Sequence, residues 1–138
     1  MEKLEIYDLG SSIFNQKENG TKVNYFIFDE YEIHFNIIPP GTTQEWHMHR
    51  EIEETLFILS GEISVKWKDD HMIRQEIVPS NSVVRVKNSI HTIENQTDKE
   101  ASFLVLRFVP DGTIKRELIK NDKIVIDTEP DMHELNAL

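Results

Sequence analysis

The stretch 45-EWHMHREIEETLFILSGE-62 decides how this chain is read. Two histidines stand one residue apart, three glutamates crowd into residues 51–54, and the apolar run TLFIL follows at 55–59. Polar side chains lose free energy on burial unless a partner satisfies them. These groups therefore either face water or converge on something that needs them. In an extended segment, side chains i and i+2 point the same way, so His47 and His49 share a face and Met48 opposes them. That spacing suits two imidazoles on one cation. Arg50 to Glu53 form a loop of a length that joins antiparallel neighbours, so a strand carrying Glu54 is expected across from the histidine pair. Its carboxylate would bring the negative charge that a divalent ion favours. Glu51, Glu53 and Glu54 compete for the inward place. Glu54 shares parity with Leu56 and Ile58, and Glu53 with Thr55, Phe57 and Leu59. Both faces are apolar, so alternation alone does not choose.

Outward from this stretch, a period of two dominates. YEIHFNII at 31–38 puts Ile33, Phe35 and Ile37 on one side and His34, Asn36 and Ile38 on the other. Pro39, Pro40 and Gly41 end that strand. ISVKW (63–67), MIRQEIV (72–78), SVVRV (82–86), His91–Asn95 and SFLVLRFV (102–109) read as further strands, with polar turns between them. IKRELI and KIVI are expected to pair as a hairpin across Asn121 and Asp122. The tail TEPDMHELNAL suits a short C-terminal helix capped by Thr128. Many short strands and few helix signals predict an all-β sandwich or barrel.

The 138 residues fit one domain. The absence of cysteine excludes disulfides, thiolate ligands and a cysteine nucleophile. The first ten residues lack the apolar core of a signal peptide, and no stretch approaches a membrane span. A soluble cytoplasmic protein is expected. With 15 Lys and Arg against 25 Asp and Glu, the net charge of −10 disfavours nucleic acid as a partner.

Gly41, His47, His49, Glu54 and Gly61, separated by five, one, four and six residues, match all five fixed positions of the first signature of the cupins. Glu53 would leave seven residues before Gly61, so the resemblance selects Glu54. SNSVVRVKNSIHTIEN (80–95) is similar to the second signature at His91 and Asn95. It departs from it at Ser80, Val86 and Asn88, where glycine, proline and a turn glycine are usual. Asn88 is a fitting substitute, because asparagine tolerates left-handed angles better than other non-glycine residues.

The resemblance covers about residues 20–110. It implies a double-stranded β-helix, the jelly-roll barrel of small single-domain cupins, followed by an extension over 111–138. It also implies that His47, His49, Glu54 and His91 hold one divalent metal ion. Three neutral histidines and one glutamate leave such an ion with one net positive charge, and an octahedral ion with two open positions. Fe, Mn, Ni, Co, Zn and Cu all suit the set. The expected function is an enzyme acting on a small polar substrate chelated to the ion, by dioxygenase-like or isomerase-like chemistry. The alternative is a non-catalytic module that senses or binds a small ligand. A metal-free sugar-binding barrel fits poorly with an intact four-ligand set.

His34 is either a hydrogen-bonded packing residue or a substrate group. Arg107 is either an edge-strand or interface arginine with its stem on apolar surface, or an anchor for an anionic substrate. Glu53 reads as a solvated loop charge, Trp46 and Trp67 as packing or interface residues, and His71 and His133 as exposed. Strands 55–59 and 102–109 are apolar on both faces, more than one barrel hides, so a homodimer packed sheet to sheet is expected.

Overall fold

The computed structural model describes residues 2–126. Ten strands form two antiparallel sheets. They are β1 (Ile13–Gln16), β2 (Lys22–Ile27), β3 (Tyr31–Ile38), β4 (Thr42–Thr43), β5 (Glu53–Ser60), β6 (Glu62–Asp69), β7 (Met72–Pro79), β8 (Val83–Arg85), β9 (His91–Asn95) and β10 (Ala101–Phe108). The larger sheet has the order β1-β2-β3-β10-β5-β8, and the smaller β4-β9-β6-β7. Strands distant in sequence are thus neighbours, and the chain crosses repeatedly between the sheets, as a jelly roll requires.

Ile38, Leu56, Ile58, Ile63, Val65, Val86, Ile93, Ala101, Phe103 and Val105 fill the space between the sheets. Alternation sorts each strand. On β5, Glu54, Leu56 and Ile58 go inside, while Phe57 and Leu59 stay partly exposed. On β3 the buried side is the more polar one, His34, Asn36 and Ile38. Ile33, Phe35 and Ile37 lie on the outer side, only partly covered. A β3 strand facing a polar cavity explains that inversion.

Asn95 works as a strut. Its Nδ2 donates to Ile38 O at 3.0 Å and Lys99 O at 2.7 Å, and its Oδ1 accepts from Thr97 N at 3.0 Å. It closes the loop before β10 and ties that loop to β3. Gly61 adopts φ +70°, and a Cβ there would sit 2.9 Å from Glu100 O. Only glycine suits both the angle and the approach.

Several expectations need correction. The left-handed residues near the second motif are Asn81 (φ 66°) and Lys87 (φ 54°), not Asn88. Ser89 N donates to Val86 O at 3.2 Å, so Val86–Ser89 is a tight turn whose first central residue, Lys87, takes the positive angle. Arg116–Asn121 is a short helix, α1, not half of a hairpin. Arg, Glu, Leu and Lys are good helix formers, Glu117 and Lys120 suit its two ends, and Asn121 Nδ2 donates to Glu117 O at 2.8 Å. Residues 123–126 form no strand. The helix expected from Thr128, and His133 with it, lie outside the described residues.

Candidate metal centre

The histidine pair does not face β5 across a hairpin, as its spacing suggests. The segment after β4 runs beside β9: His47 N donates to His91 O at 3.0 Å, and His91 N to His47 O at 2.9 Å. The antiparallel bridge brings the His47 and His91 rings to 4.4 Å between centroids, with His49 at 5.2 Å from His47. Glu54 arrives from the other sheet, as the second residue of β5. One ligand atom from each of His47, His49, Glu54 and His91 lies within 4.8 Å of the others, forming a group that can hold a metal ion.

The backbone sets the tautomers. His47 Nδ1 lies 2.9 Å from Glu45 O, and His91 Nδ1 lies 3.0 Å from Ser89 O. A carbonyl only accepts, so each Nδ1 carries the proton and each Nε2 keeps its lone pair for the centre. Both carbonyls stand two residues before their histidine, a regularity the sequence contains but does not announce. Burial holds the pKa of His91 below the ordinary value, outweighing its bond to Ser89. Burial also lowers that of His49, against the pull of Glu54. Neutral imidazoles are the form that binds metal.

The donor set fits a cation on a direct test. His49 Nε2, Glu54 Oε2 and His91 Nε2 are buried and have no hydrogen-bond partner. Unsatisfied buried polar atoms are rare, and here three of them share one centre. His49 Nε2 abuts Glu54 Oε2, but in no hydrogen-bond geometry. An ion among them would satisfy all three.

Glu53 points away from this group. It belongs to β5 rather than to a loop, and Arg85 of β8 grips both its oxygens. Arg107 lies on β10, a central strand, so the edge-strand reading falls. It faces inward, with Nη2 3.5 Å from Glu54 Oε1. His34 also faces inward, its Nε2 2.8 Å from Glu32 Oε1 and its ring edge-on to Tyr25 at 4.5 Å. Burial is the main cause of its lowered pKa. The roles of Glu32 and Tyr25 escape a reading centred on the histidine motif, although β3 parity places Glu32 beside His34. Trp67 packs against the core and Trp46 is exposed. His71 is exposed and stands outside the donor group.

A cavity of about 670 Å³ opens on the centre, lined by His47, His49, Glu54, His34, Tyr25 and Arg107 among others. A second, of about 580 Å³, lies on the far side of His91 between Trp67, Val84 and Val86. The first holds three of the four donors. Among the described residues, no helix is long and apolar enough to cross a membrane.

Solved structures share the fold. CapF, the capsular polysaccharide assembling protein of Staphylococcus aureus, matches with TM-score 0.63 and 23% identity over 72% of this chain. The chain spans only 28% of that protein's length. A Cupin 2 conserved barrel domain protein from Salinispora arenicola matches with TM-score 0.64 and 16% identity, over 87% of this chain and 100% of its own. An oxalate oxidase matches with TM-score 0.62 and 16% identity, over 75% of this chain and 59% of its own. A comparison with curated proteins returns no match. The family model for the Cupin domain matches residues 34–107, over half the chain and the whole span from His34 through the four donors to Arg107, and this chain belongs to the cupin family.

Proposed function

We propose that this cupin is a metal-dependent enzyme acting on a small polar organic molecule, with His47, His49, Glu54 and His91 holding one divalent ion. The observation that carries the reading is the meeting of buried, partnerless donors within 4.8 Å. When bound, the ion supplies Lewis acidity and a point for the substrate to chelate. Glu45 and Ser89 carbonyls keep two of the imidazoles aimed at it.

His34 supports a reactive site over a passive one. Its Nε2–H donates to the Glu32 carboxylate, which leaves Nδ1 free to take a proton, and the ring lines the same cavity as the donors. An oriented, neutral imidazole is the usual general base. Proton abstraction at this position suits isomerase-like or dioxygenase-like chemistry. A non-catalytic ligand-binding module would need the donors but not the Glu32–His34 pair.

Metal analysis of protein purified without a histidine tag tests the reading. Near-stoichiometric divalent metal is expected, falling at least tenfold in His91→Ala. Substoichiometric metal in the parent, or equal loading in the variant, refutes it. The apolar outer face of the larger sheet supports a further element of the reading, a homodimer in which two such faces pack together.

A further inference from the structure

We propose that the ligand of this site is a small carboxylate, bound by the guanidinium of Arg107 while a neighbouring oxygen of the same molecule coordinates the ion. The inference rests on the metal-site reading above and names the substrate class of that site.

Arg107 occupies the middle of an acidic row. Its register partners are Glu32 on β3 and Glu54 on β5. All three lie on the same face of the sheet, so Arg107 looks at first like the centre of a cross-strand ion-pair triad. The contacts differ. Glu32 is engaged with His34, and no ion pair joins it to Arg107. Glu54 approaches only to 3.5 Å, too far for a strong hydrogen bond. Arg107 Nε is buried and has no partner. Glu32 is thus committed elsewhere and Glu54 is shared with the donor group, which leaves Arg107 one long ion pair and a buried Nε without a partner.

Charge sharpens the point. A divalent ion on the four donors takes up the Glu54 charge that partly offsets Arg107. The loaded site then holds an ion of net positive charge beside an unneutralised guanidinium, in a cavity that strengthens their repulsion relative to water. Two adjacent cations of this kind call for an anion between them. The guanidinium edge is planar, and it matches a carboxylate through two parallel N–H···O bonds. A neutral ligand would leave both the charge and the Nε donor unmet.

Lactate and lactamide, nearly isosteric and differing in charge, separate this proposal from its alternatives. Protein loaded with Co(II) is titrated with each, and the Co(II) absorption spectrum reports binding without any turnover. The parent is expected to bind lactate at least tenfold more tightly than lactamide. Arg107→Met should keep metal loading within twofold of the parent, or raise it, since a repelling charge is gone. It should lose the preference for lactate, with lactamide affinity unchanged. Arg107→Lys keeps the charge without the fork and should retain part of the preference. Equal affinities in the parent overturn the proposal. So does a lactate preference that survives Arg107→Met, or loss of metal from both variants, which would make Arg107 a structural partner of Glu54. Failure of the parent to take up metal is seen before any probe is added, and it identifies the underlying reading as the fault.

Discussion

At Glu54, the sequence offers three candidate carboxylates and the fold uses one. Glu54 is buried beside the histidines, whereas Glu53 is clamped outward by Arg85. The choice was legible only through the resemblance to the cupin signature, whose spacing from His49 and to Gly61 selects Glu54. The state of the imidazoles was not, because it depends on carbonyls and burial fixed only by the folded backbone. Nor was the surrounding of Arg107, whose neighbours come from β3 and β5, more than fifty residues away in sequence. His34, His49 and His91 all have pKa values lowered chiefly by burial. The fold therefore prefers their neutral forms. Their contribution to stability is complete above the unfolded histidine value of about 6.5 and is lost as pH falls from there through the folded values. Metal-free protein is expected to unfold at progressively lower urea concentration between pH 7.5 and 5.5, with a shallower decline in His91→Gln. A midpoint that does not move across that range contradicts the account.

Among the elements, the turns were harder to read than the strands. Strand positions follow from alternation, and β3, β5, β9 and β10 fall where the sequence puts them. Turn geometry depends on which residue takes the left-handed angle, and at Val86–Ser89 that residue is Lys87, which has no composition signal for it. The segment at 116–121 misled for another reason: its apolar residues fit a strand or a helix equally, and local propensity decided in favour of α1. Two glycines make a matched test of backbone against contact. Gly41 and Gly61 have nearly equal φ, +66° and +70°, but only Gly61 is crowded. Gly41→Ala should cost about 1 kcal/mol, the left-handed penalty alone. Gly61→Ala should cost at least about 1–3 kcal/mol more, because backbone at Glu100 must shift. Thermal melts of the two variants measure the difference, and equal losses would show that the close approach to Glu100 carries no weight.

At the scale of the whole molecule, the outer face of the larger sheet carries exposed apolar side chains. Asn24, Phe35, Leu104, Phe57 and Val83 form a row across five strands, and Leu106 and Phe108 extend it along β10, both partly exposed. Apolar area of this extent on a sheet that is already hydrogen-bonded favours burial against a like face. Light scattering at micromolar concentration is expected to give twice the chain mass. Phe57→Lys should give the single-chain mass while keeping its metal, since Phe57 points away from the donors. A monomeric parent would remove the proposal.

Alternation on β5 has one more effect. A slip of β5 by one residue against β10 would turn Glu54 out and bring Glu53 into its place, with Phe57 and Leu59 driven inward. The histidines would then meet a carboxylate displaced along the strand, and the cluster would not close. Only the native pairing assembles all four donors, so a tightly held ion would act as a proofreader of strand alignment, rewarding the correctly threaded barrel and leaving mispaired chains empty.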